Sequence, residues 1–76
     1  MAMAYVLINS EVGKEDEVIA QLRKMEGVNE VNFVYGVYDI VTKVETDDVK
    51  KLKEVVIARI RRLDFVKSTL TMIVME

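Results

Sequence analysis

Apolar and polar positions along the 76 residues fall into six blocks with two different periods. Residues Ala4 to Glu11 (AYVLINSE) form a β-rich run that is apolar on both sides, Tyr5 and Leu7 pointing one way and Val6 and Ile8 the other. A strand apolar on both faces belongs in the middle of a sheet covered twice. Gly13 breaks this run, and Lys14-Glu15-Asp16-Glu17 opens a helix whose acidic residues sit near the positive end of its dipole. Val18, Ile19, Leu22 and Met25 then recur at helical spacing until Gly27 stops the helix.

Val28 to Tyr35 reads as the second strand, with Val31, Phe33 and Tyr35 on one face as core aromatics and aliphatics. Tyr38 to Glu45 reads as the third, with Tyr38, Ile40, Thr42 and Val44 inward. Only Gly36-Val37 separates these two, and glycine at the first central position predicts a type II′ hairpin. Thr46 or Asp47 supplies the cap of a second helix, whose stripe is Val49, Leu52, Val56, Ile60 and Leu63, widened by Val55, Ile57 and Ala58. Val66 to Met75 is the last strand, again apolar on both faces.

The order β-α-β-β-α-β is one βαβ unit used twice, with a weak echo of Tyr5-Val6-Leu7 in Tyr38-Asp39-Ile40. Right-handed crossovers make this an α+β, ferredoxin-like fold: a four-stranded antiparallel sheet with both helices on one face. Val6 or Leu7, Val41, and Leu70 or Ile73 leave the other face too apolar for water. Sheet-to-sheet dimerisation into an αβ-sandwich is the expected answer. A 76-residue chain buries only roughly 60% of its unfolded surface, and a hydrophobic content of 51% exceeds what that hides. Self-association is expected on this ground too.

Charge and missing residue types narrow the function. Eleven basic against 13 acidic residues give −2, so no general attraction to nucleic acid or an anionic membrane is expected. The second helix carries Lys50, Lys51, Lys53, Arg59, Arg61 and Arg62 against Glu54 alone, which reads as a solvated face. No apolar run approaches the ~20 residues of a membrane span and no signal peptide is visible, which predicts a soluble cytoplasmic protein made of this one domain. There is no Cys and no His, so the usual thiolate, imidazole base and metal ligands are missing. With no phosphate loop either, an enzyme is not expected, and no metal or cofactor is implied. Three Asn and one Gln in a highly charged chain suit a heat-adapted source.

Two groups of residues carry candidate chemistry. Asp39 is an ionisable side chain beside the hairpin tip. It either receives an ammonium group or supports a backbone nest for a small zwitterion, or else it caps local amides or pairs with Lys43. Thr69 and Thr71 lie two apart on the last strand beside Ser68. They are either ordinary β-formers or donors and acceptors for a carboxylate.

Val6-Leu7-Ile8 with Gly13-Lys14-Glu15, Gly27-Val28 with Glu30-Val31, Gly36-Val37-Tyr38-Asp39, and Val66 to Thr71 together resemble the Lrp/AsnC (feast/famine) transcription regulators. The likeness is to their amino-acid-responsive RAM domain. It covers essentially the whole chain, without the helix-turn-helix of the full-length regulators. The resemblance implies a stand-alone effector module, dimeric and assembling further into an octamer or similar ring. It implies amino-acid binding between dimers, with Gly36, Val37, Tyr38 and Asp39 on the hairpin side and Thr69 and Thr71 nearby. Without the DNA-reading module, sequence-specific DNA binding is not expected. The alternative is a structural role, co-assembling with full-length regulators without a ligand of its own.

Overall fold

The structure, a computed structural model, describes residues 1–75. Strand β1 (Ala2–Ser10) lies at the centre of a four-stranded antiparallel sheet, with helix α1 at Glu15–Arg23, β2 at Val28–Phe33, β3 at Ile40–Thr46 and β4 at Val66–Ile73. Helix α2 runs over residues 49–61, its α-helical ends Val49–Lys51 and Ala58–Arg61 joined by a wider π-helical segment, Leu52–Ile57. The strand order is β2-β3-β1-β4. This is the expected ferredoxin-like arrangement. Among the described residues no helix is long and apolar enough to cross a membrane.

Alternation along β1 decides the layers. Ala4, Val6 and Ile8 are wholly buried beneath the helices, and β3 adds Ile40, Thr42 and Val44 to the same face. Thr42 is tolerated there because its hydroxyl donates to the Glu30 carbonyl at 2.7 Å. Val18 and Leu22 of α1 and Leu52, Val56 and Ile60 of α2 close the core from above. Full burial of a side chain such as Leu22 or Ile60 contributes about 1.5–3 kcal/mol. Val49, expected in the stripe of α2, is exposed, whereas Ile57 is buried. The π-helical segment explains this, because Ile57 lies five residues after Leu52 and a wide turn brings that spacing onto one face.

Register settles which residues occupy the uncovered face. Leu7 stands between Val41 and Leu70, and Tyr5 between Lys43 and Met72, all on the side away from Val6 and Ile8. Leu70 and Met72 are 45% and 47% exposed. Of the expected pairs, Leu7 and Leu70 face outward, while Val6 and Ile73 turn towards the helices.

The two βαβ halves share hydrogen bonds and register breaks at corresponding places. The Glu45 N–H donates to the Gly27 carbonyl at 2.8 Å, and the Glu11 N–H donates to the Phe65 carbonyl at 2.8 Å. Each second strand breaks register once, at Val28/Glu30 against β3 and beside Asn9/Ser10 against β4. Asn9 therefore corresponds to Lys43 and Val6 to Ile40, one residue away from the echo expected from the sequence. A one-residue slip matters in a strand because it exchanges the two faces. Helix α2 is four residues longer than α1. At 3.6 residues per turn those four overshoot a full turn by roughly 40°, and the wide π-helical turn takes up the excess.

Three local expectations are corrected. β2 ends at Phe33, and the connection to β3 is the six-residue segment 34–39 instead of a two-residue turn. Gly36 does not have positive φ, so the type II′ geometry is absent. Phe33 and Tyr35 are exposed instead of packed, because the helices do not cover that end of edge strand β2. Finally, the cap of α2 is neither Thr46 nor Asp47. Asp48 is extended and its Oδ1 accepts from the Lys51 N–H at 2.7 Å, while Thr46 still belongs to β3.

Candidate functional site

Asp39 is fixed by the central strand. Its N–H donates to the Ile8 carbonyl at 3.1 Å, its carbonyl accepts from the Val34 N–H at 2.7 Å, and its Oδ2 accepts from the Ser10 N–H at 3.2 Å. These bonds hold the last ladder rung and let residues 36–39 bend away beyond it. Capping an amide is thus part of what Asp39 does, and it makes no ion pair with Lys43. Gly36 and Val37 are exposed at the tip, Tyr38 is half-buried, and nothing lies within 4 Å of where a Cβ on Gly36 would be.

Thr69 stands opposite Ile8 on one side of β1 and Ile40 stands opposite it on the other; Asp39, one position before Ile40, reaches Ile8 through its own N–H. Two strand spacings separate their backbones, about 10 Å. Both threonines share the helix-facing side with Ile8 and Val6; Thr71, opposite Val6, has a buried hydroxyl with no partner. The expected residues therefore gather at one end of the sheet without enclosing a cavity. Within one chain they form a rim.

Sequence reasoning missed Ser10, which is 5% exposed, gives its N–H to Asp39 and has an unpartnered buried hydroxyl. Asn9 beside it donates to the Ser68 hydroxyl at 3.3 Å. The signal was present, since Asn9-Ser10 is the only polar pair that closes the otherwise apolar β1.

Comparison with known proteins shows which family the chain belongs to. Residues 3–76 match the family model of the Lrp/AsnC ligand binding domain. The chain belongs to that family. An HTH-type transcriptional regulator of Pyrococcus furiosus is 34% identical to this Lrp/AsnC domain over 73 residues, 92% of the chain and 49% of the relative. The domain thus spans about half the length of the curated relatives it matches, 45% in a Pyrococcus horikoshii regulator that is 28% identical over 93% of the chain. Among solved structures, FFRP-DM1 is 40% identical with a TM-score of 0.92, covering 99% of this chain and 100% of that one. The feast or famine regulatory protein of M. tuberculosis, complexed with L-methionine, is 25% identical with a TM-score of 0.82, over 100% of this chain and 51% of that one.

Proposed function

We propose that this Lrp/AsnC domain is a non-enzymatic effector module that binds small amino acids where copies of the chain meet and thereby modulates regulator assembly. The observation that carries the reading is that Asp39, bonded through its backbone to Ile8, and Thr69, paired with Ile8, lie at the same end of the sheet beside an exposed loop. An amino acid presents an ammonium and a carboxylate. Asp39 answers the first, and the exposed backbone of Gly36 and Val37, with the Thr69 hydroxyl, answers the second. The rim is open on one side, which suits a site completed by a second copy. The L-methionine complex of the M. tuberculosis relative supports the ligand class.

Thermal-shift screening of the twenty amino acids tests the binding, since a ligand at 100 times its Kd adds about 2.7 kcal/mol of stability. Asp39→Asn then weakens the best ligand about tenfold or more, because a hydrogen bond to a charged group is worth about 1.5–3 kcal/mol. Equal affinities in calorimetric titration, with both proteins in the same oligomeric state, leave Asp39 as an amide cap and nothing more. The exposed face around Leu70 and Met72 supports self-association, and light scattering should give several times the 8.7 kDa of one chain.

A further inference from the structure

The two halves differ in how the turn after each helix is tied to the other helix. In the second half, Phe65 adopts φ 71 at the turn into β4 and Lys14 Nζ lies 4.9 Å from its ring centroid. Gln21 reaches from α1 to the same turn, donating to the Asp64 carbonyl at 3.2 Å. Helix, turn and strand end are tied together. In the first half the corresponding residues are Gly27 for Phe65, Glu26 for Asp64 and Arg59 for Gln21. A Cβ on Gly27 would stand 3.1 Å from Val56 Cγ2 and 3.3 Å from the Glu45 carbonyl oxygen, so glycine lets the turn approach α2 closely. Beside this contact the tie is missing and a cleft of about 340 Å³ lies open.

Charges of both signs line that cleft. Glu26 and Asp47 face it from the turn and from the end of β3, Lys51 and Arg59 from α2, and Val56 contributes to its apolar floor. None of these four charged groups forms an ion pair with another among the described residues. The remaining carboxylate, Glu45, accepts a hydrogen bond from Asn29. What is left is two cations and two anions around one small apolar-floored space.

We propose that this cleft is a separate binding site for a small zwitterion. Arg59, with its planar fork, and Lys51 take the carboxylate; Glu26 and Asp47 take the ammonium; the floor takes a short apolar side chain. The balance of charge excludes simple anions and simple cations, each of which leaves one pair unanswered. The site lies at the far end of β3 from Asp39, six strand residues or about 20 Å away. It does not depend on the reading of the hairpin loop.

Amide resonances of the ¹⁵N-labelled chain, titrated with glycine and with L-methionine, test it. Saturable shifts at Gly27, Thr46 and Val56 are expected with at least one of the two. Arg59→Gln and Glu26→Gln each weaken that isotherm tenfold or more and leave the behaviour of Tyr38, Asp39 and Thr69 unchanged, while Asp39→Asn leaves the cleft isotherm unchanged. N-acetyl-L-methionine, lacking the ammonium, and L-methionine methyl ester, lacking the carboxylate, each bind the cleft at least tenfold more weakly than L-methionine. No saturable shift at the cleft with either amino acid overturns the proposal, whatever the hairpin residues do. Wild-type affinity in both variants, or equal binding of either derivative, overturns it as well.

Discussion

The first and second βαβ units reach one backbone geometry by different side-chain means. In the first, α1 begins at Lys14 with no side-chain cap and ends in a turn through Gly27 at φ 95. In the second, α2 begins with the Asp48 cap and ends in a turn through Phe65, a bulky residue in the left-handed region at a cost of about 1–2 kcal/mol. The hydrogen bonds across each turn, Val28 N–H to the Met25 carbonyl and Val66 N–H to the Leu63 carbonyl, are both 3.4 Å. Phe65 shows that the left-handed turn alone does not demand glycine. The demand at Gly27 comes from Val56 and Glu45, and closeness to them is what distinguishes the first half. Turns of like geometry thus leave the side chains free to close one end of the molecule and open the other.

Five substitutions press on this comparison. Leu22→Ala and Ile60→Ala remove corresponding, wholly buried side chains, and each should lower stability by about 2–5 kcal/mol in urea unfolding. A loss well under about 2 kcal/mol at Ile60 alone would mean that the π-helical segment leaves α2 loosely seated. Gly27→Ala combines a left-handed penalty of about 1–2 kcal/mol with overpacking of about 1–3 kcal/mol, for a total of about 2–5 kcal/mol. A loss below about 1 kcal/mol would show that Val56 yields and that the turn is not closely packed. The smallest effect separates the helix starts. Asp48→Ala should cost about 1 kcal/mol through the lost cap, whereas Lys14→Ala stays within about 0.5 kcal/mol. Equal losses at the two positions would erase the distinction between capped and uncapped starts.

Most of the fold was legible because its signals are local and repeat. The alternation in β1, the stripe Val18-Ile19-Leu22 and the stop at Gly27 each appear where the sequence put them. The failures lie where a distant partner overrides a local signal. Gly36-Val37 looks like a tight turn, yet Asp39 is held by Ile8 and Ser10, thirty residues back, and the loop opens beyond it. Ile57 reads as a flank of the stripe until the wide turn in α2 brings it inward. At the site, the polarity of Asp39 and Thr69 was visible, but their placement on either side of β1 depends on strand order. The open cleft was hidden altogether, since Glu26, Asp47, Lys51 and Arg59 read singly as ordinary surface charges.

The position of β1 also governs when the chain can fold. Its residues pair with β4, so that Ala4 meets Ile73 and Ile8 meets Thr69 across some sixty intervening residues. Contacts so distant in sequence slow the search for the native state. During synthesis the run Tyr5-Val6-Leu7-Ile8 therefore emerges well before its β4 partner. Until β4 leaves the ribosome, that apolar run keeps one edge unpaired, ready for the same run on a neighbouring nascent chain. The strand that centres the finished sheet is thus also the one that leaves the unfinished chain open to aggregation.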